Sequence, residues 1–206
     1  MNLSRASSKG DIATVKKLVN EGADVNATDS SGRTALIEAA WGGYNEVVSF
    51  LIEKGANVNA CDNAGCTALM RAAEEGHEAV VKTLAKSGAD VNLCGKVRGT
   101  TALMLASEQG HLKVIELLIE NGAKINAIDQ YEETALARAY RTNQTKAAEF
   151  LESKGGRGKP ERNTFTYKDK DIRPPAKTAI PQWSAAANEG GFDEDDIGAD
   201  DSFDDE

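Results

Sequence analysis

Two histidines, His77 and His111, and three cysteines, Cys61, Cys66 and Cys94, are the side chains of this 206-residue chain that could ligate a soft metal or serve as base and nucleophile. Neither chemistry finds the spacing it needs. Zinc held by thiolates wants a C-x-x-C pair, and none occurs. The sequence has no G-x-x-x-x-G-K-[ST] to cradle a phosphate, no G-x-G-x-x-G after a strand, and no H-E-x-x-H. Asp193-Glu194-Asp195-Asp196-Ile197-Gly198 is only faintly like a calcium loop, because Ile197 occupies a liganding position and no helical pattern flanks it. Ser202, followed by Phe203-Asp204-Asp205-Glu206, has the look of an acidophilic kinase site. The expectation is a chain with no catalytic residue, no cofactor and no metal.

Charge narrows the classes further. The net charge of −9 is segregated: about −4 over residues 1–153, +5 over 154–177, and −10 over 189–206, which hold ten acidic residues and no basic one. A mildly acidic body is not a basic nucleic-acid-binding domain, so no direct nucleic-acid contact is expected. No run of eighteen apolar residues exists, which predicts no membrane span. The opening Met1-Asn2-Leu3-Ser4-Arg5 lacks the apolar stretch of a secretory signal, and three cysteines are an odd number. Free thiols in a reducing compartment follow, cytoplasmic with nuclear also open.

The elements that position these side chains are repeated. The string Gly-Ala-[Asp/Asn/Lys]-[Val/Ile]-Asn begins at Gly22, Gly55, Gly88 and Gly122, and Thr-Ala-Leu begins at Thr34, Thr67, Thr101 and Thr134. Both series advance by 33 residues and slip to 34 at one shared place, between Asn92 and Thr101, so they report a single period with a single insertion. Within each unit the threonine caps a short Ala-rich helix. Gly43, Gly76 and Gly110, with Asn143 in the last unit, supply a left-handed cap. A longer helix follows with apolar residues on one stripe, as at Val47, Val48, Leu51 and Ile52. Neither helix buries its apolar face alone, and stacking the units makes one core.

These motifs resemble the ankyrin repeat, D-x-x-G-x-T-P-L-H-x-A-A-x-x-G-H-x-x-V-V-x-x-L-L-x-x-G-A-D-V-N. The resemblance implies an all-α ankyrin-repeat solenoid, helix-turn-helix units joined by β-hairpin-like turns. Its expected divisions are an amino-terminal half repeat over 1–27, repeats over 28–60, 61–93 and 94–127 (the last with the insertion), and a capping repeat over 128–156. It also assigns His77 and His111 to packing and hydrogen bonding. Cys61 and Cys94 then lie one unit apart, on the order of 10 Å, too far for a disulfide. The chain departs from the pattern at the Pro, which is Ala35, Ala68, Ala102 or Ala135, and at the first His, which is Ile37, Met70, Met104 or Ala137.

Resemblance to this family implies a non-enzymatic protein-interaction module, acting as a monomer on another protein through its turn tips and the groove face of the first helices. By position, the candidate contact residues are Arg33, Glu38, Trp41, Arg71, Glu74, Lys96, Arg98, Glu108, Tyr131 and Arg138. Side chains there are expected to be free of structural duty. Trp41 stands out because the fold does not demand a Trp there; it either anchors a partner or packs on its neighbouring turn. The insertion is expected to lengthen one tip into a basic finger at Lys96-Val97-Arg98.

Residues 157–206 hold all four prolines, lack the repeat, and read as a disordered tail, basic then acidic. Trp183, Phe192 and Phe203 within it belong to a solubilising tail, lie back on the repeats, or form a short partner-binding motif. An alternative role is a dedicated regulator, an inhibitor or escort chaperone whose acidic tail shields a basic partner.

Overall fold

The computed structural model describes residues 2–158; the expected tail, with Trp183, Phe192, Ser202 and Phe203, lies outside the described residues. Ten helices occur among the described residues: α1 (Leu3–Ser7), α2 (Ile12–Asn20), α3 (Ala35–Trp41), α4 (Asn45–Glu53), α5 (Ala68–Glu74), α6 (Glu78–Lys86), α7 (Ala102–Gln109), α8 (Leu112–Glu120), α9 (Ala135–Arg141) and α10 (Thr145–Ser153). They pair as antiparallel hairpins. The odd-numbered helices stack on one another in one layer and the even-numbered helices in a second. None is long and apolar enough to cross a membrane.

Each short helix from α3 onward starts where its threonine accepts a hydrogen bond from the third helical N–H: Thr34 from Ile37, Thr67 from Met70, Thr101 from Met104 and Thr134 from Ala137, at 3.2–3.3 Å. These helices are enclosed by neighbours on both sides, so nearly every residue of α3 and α5 is buried. Alanine makes that close approach possible. The long helices bury one stripe only: Val47, Val48 and Leu51 in α4, and Val80, Val81 and Leu84 in α6. In α8 the stripe is Val114, Ile115 and Leu118. Each leucine so buried contributes about 1.5–3 kcal/mol. In α10 the stripe shrinks to Ala147, Ala148 and Leu151.

Asp11 caps α2 by accepting from Thr14 N–H, whereas from α4 onward the residue opening each long helix makes no side-chain cap. Its side chain packs instead against the unit before it. His77 lies over Gly43 and His111 over Gly76, where an added Cβ would come within 2.6–2.7 Å of the imidazole ring. Both glycines also carry positive φ, so they serve conformation and close approach together. His77 Nε2–H donates to Trp41 O at 2.9 Å, and His111 Nε2–H donates to Glu74 O at 3.0 Å. The two histidines are therefore satisfied packing residues that occupy helix-end carbonyls.

Asparagine joins the units along another edge. Asn26 Nδ2 donates to Gly55 O at 3.1 Å while its Oδ1 accepts from Asn57 N at 2.7 Å. The same two bonds recur from Asn59 to Gly88 and Asp90, from Asn92 to Gly122 and Lys124, and from Asn126 to Gly155 and Arg157. Thr134 Oγ1 also donates to Arg157 O at 2.7 Å. Ordered chain thus continues past the expected division after residue 156, because the last Asn needs an N–H beyond it.

Candidate functional site

The turns leading into α3, α5, α7 and α9 form one edge of the stack, with the short helices beside them. Among the described residues no strand forms; isolated antiparallel bridges, Thr28 with Thr34, Cys61 with Thr67 and Cys94 with Thr101, close three of the turns. Neighbouring tips are tied by Asn63 N to Ser31 O, Lys96 N to Ala64 O and Gln130 N to Arg98 O, each at 3.0 Å. The insertion is taken up inside one tip. Gly95 N–H reaches Thr100 O, five residues on, whereas Asp29, Asp62 and Asp129 reach a carbonyl four residues on.

Asp29, Asp62 and Asp129 each accept two backbone N–H groups of their own turn through Oδ1. Oδ2 then faces the short helices, and an arginine meets it. Arg33 joins Asp29 at 3.0 Å and Glu38 at 2.9 Å, neutralising two carboxylates that would otherwise repel. Arg71 joins Asp62 at 3.1 Å and Glu74 at 3.2 Å. Arg138 joins Asp129 at 2.7 Å and Glu108 at 2.9 Å and donates to Thr100 Oγ1 at 3.1 Å; Arg141 holds both Glu108 and Glu133.

Burial pushes the Asp129 carboxyl upward, but the Arg138 guanidinium and the N–H groups of Glu133 and Tyr131 outweigh it and hold the group below its ordinary value. At Asp29 the N–H of Arg33 leads the same downward shift. The Cys66 thiol is pushed up, chiefly by burial. All three cysteines are free, and among the described residues no three His, Cys, Asp or Glu side chains converge to hold a metal.

The expected contact residues therefore separate. Trp41, Lys96, Arg98 and Tyr131 are exposed, and Arg33, Arg71, Glu74 and Glu108 are half-buried. Glu38 and Arg138 are buried, Arg138 at 5% exposure. The expectation that all ten side chains stand free of structural duty is corrected at Glu38 and Arg138, and Arg33, Arg71, Glu74 and Glu108 are also engaged in ion pairs of these turns and short helices. Of the two roles the sequence left open for Trp41, the structure shows packing against the neighbouring unit, with part of the ring left exposed. Its Nε1–H donates to Glu75 at 3.1 Å and the Arg71 guanidinium lies 5.2 Å from its ring centre, yet 38% of the residue remains exposed.

The sequence reading assigned no role to the asparagine ending each Gly-Ala string, nor to the aspartate five residues before Thr34, Thr67 and Thr134. Their recurrence at the repeat period was the available signal.

The family described as ankyrin repeats (3 copies) matches residues 3–94 and 90–160. Two ankyrin repeat proteins of Rickettsia felis are each 48% identical to this chain over 46 residues, a stretch covering 22% of this chain and 73% and 70% of theirs. With matching units stacked as two helical layers, the chain belongs to the ankyrin-repeat family, whose members are generally non-enzymatic and whose repeats are generally protein–protein interaction modules.

Proposed function

We propose that this protein binds another protein along the face formed by its turn tips and short helices, with Trp41 as the central anchor. The observation that carries this reading is the indole itself. A large amphipathic ring, held in place by Glu75 and Arg71 and still partly exposed, loses little conformational entropy on contact. The exposed Tyr131 and the cations of Lys96 and Arg98 extend the surface across the later tips and would steer an acidic partner.

The test compares capture from the native cell by the full-length chain and by Trp41→Ala. Loss of the anchor costs about 2 kcal/mol of binding or more. Trp41→Phe, which keeps a ring over Arg71, restores part of it. Unchanged capture by Trp41→Ala, with a lowered melting temperature, assigns the residue to the fold and overturns the anchor.

The ten acidic residues of 189–206 support a second reading, a dedicated regulator that shields a basic partner. Asparagine in place of Asp200, Asp201, Asp204 and Asp205 then weakens capture, most at low salt. Salt-independent capture counts against it.

A further inference from the structure

The ionic pattern of the tips is interrupted once. In the unit spanning 94–127 the turn aspartate is replaced by Gly95, and the helix position of Glu38, Arg71 and Arg138 is taken by Leu105. Nothing charged fills the space between the Arg71 and Arg138 clusters. An open pocket of about 390 Å³ lies there, with Met70, Cys66 and Leu105 among its lining and Val97 and Arg98 of the lengthened tip on its rim. That volume is near the small end of ligand sites, which run from about 300 to 1,000 Å³.

The charges around it sum to zero but are unevenly placed: Asp62, Glu74, Glu108, Asp129 and Glu133 gather on Arg71, Arg138 and Arg141, while Arg98 and Lys96 stand apart. Glu74 is engaged by Arg71, and Glu108 by both Arg138 and Arg141. Arg98 and Lys96 are exposed and their side chains make no ion pair or hydrogen bond among the described residues. Beside them Val97 is 61% exposed, an apolar side chain displayed rather than buried. The unmet demands are thus an apolar surface to cover and positive charge to pair.

We propose that this pocket receives one aromatic or aliphatic side chain of a partner peptide segment whose flanking residues are acidic, the apolar group resting on Leu105 and the carboxylates meeting Arg98 and Lys96. This rests on the protein-binding reading above and adds where, and by what chemistry, the partner is selected. The lengthened tip acquires a role: its extra residue carries Val97 and Arg98 out over the pocket, at little cost in loop closure.

The probe is a fluorescein-labelled synthetic peptide, Ser-Gly-Phe-Asp-Glu-Asp-Gly, titrated against the full-length chain and read by anisotropy. Controls replace its Phe with Ala, or its three acids with Lys. Each control binds at least about tenfold more weakly, a loss of roughly 1.4 kcal/mol. On the protein, Arg98→Glu produces a similar loss from an exposed tip position whose backbone bond from Gln130 N–H the substitution leaves in place. Gly95→Asp combined with Leu105→Arg gives this unit the ion pair its neighbours have and fills the pocket. An added Cβ at Gly95 meets nothing nearer than Ala64 O at 3.6 Å, so the double variant keeps its melting temperature while losing the peptide.

The proposal is overturned if the probe does not bind, if the Ala or Lys peptide binds as well as the probe, or if both protein variants bind like wild type. Any of these outcomes with capture still sensitive to Trp41→Ala removes this pocket and leaves the binding face standing. Loss of the Trp41 effect while peptide binding keeps its pocket dependence removes the anchor alone.

Discussion

Arg138 shows how a side chain that looks available for a partner can be claimed by the fold. Its guanidinium is 5% exposed and meets Asp129, whose side chain is fully buried, at 2.7 Å. Removing one partner of a buried pair leaves the other charge without compensation, so Arg138→Ala costs about 3–5 kcal/mol, read by chemical denaturation. Asp129 adds a pH dependence. Its carboxyl lies below its ordinary value in the folded chain, so between the two values the unfolded state binds more protons. Its contribution is fully present above about pH 4, the unfolded Asp value, and is lost as pH falls through the folded value. Asp129→Asn therefore lowers stability at neutral pH and flattens the acid limb of the stability curve. An unchanged acid limb contradicts this placement of Asp129.

Among the elements, the side-by-side stacking of helices is reinforced by a hydrogen-bonded edge. Each asparagine of the Gly-Ala strings satisfies one carbonyl and one N–H of the next unit, groups left over where a long helix ends. Asn92 sits mid-array, with Gly122 O at 3.1 Å and Lys124 N at 2.8 Å. Losing both bonds in Asn92→Ala costs about 1–2 kcal/mol, at roughly 0.5–1.5 kcal/mol per bond with partial replacement by water. Asn92→Asp keeps the acceptor and loses the donor, so it falls between. A melting shift for Asn92→Ala no larger than that of an exposed-face control such as Lys82→Ala sinks the idea that this edge binds the units together.

At the level of the whole array, stability is a sum of unit and interface terms, and the last unit contributes less than the repeats before it over 28–127. Its long helix buries Ala147 and Ala148 where α4 and α6 bury valines. It also places Glu132 at φ 60, a conformation that Gly32, Gly65 and Gly99 supply in the other turns. A side chain in that region costs roughly 1–2 kcal/mol. Amide exchange is therefore faster in residues 128–156 than in 28–127, and Glu132→Gly slows it and raises stability by about 1 kcal/mol. Exchange that is uniform across the units, or a destabilised Glu132→Gly, contradicts this ordering.

Most of the fold was legible beforehand because a threonine cap, a left-handed glycine and an apolar stripe are local features, and repetition tells each of them four times over. The contact face was less legible. Trp41 and Arg98 could be singled out by position, since exposure at a tip follows from the period. That Glu38 is held by Arg33 of its own turn follows only from how that turn folds back on α3, and that Arg138 is spent internally depends on other turns: it reaches Glu108, thirty residues away, and Thr100, thirty-eight away.

The sequence alone determined the period, the unit count, the helix boundaries set by capping, and the place of the insertion, all consequences of short-range chemistry. Only the tertiary structure decided which charges cancel, and that the gap at Gly95 and Leu105 is an open pocket of mixed lining beside cations that have no side-chain partner among the described residues. Those outcomes depend on how each turn folds back on its short helix, as Arg71 does on Asp62, and on contacts between units, as Arg138 makes with Glu108, and neither is set by spacing along the chain.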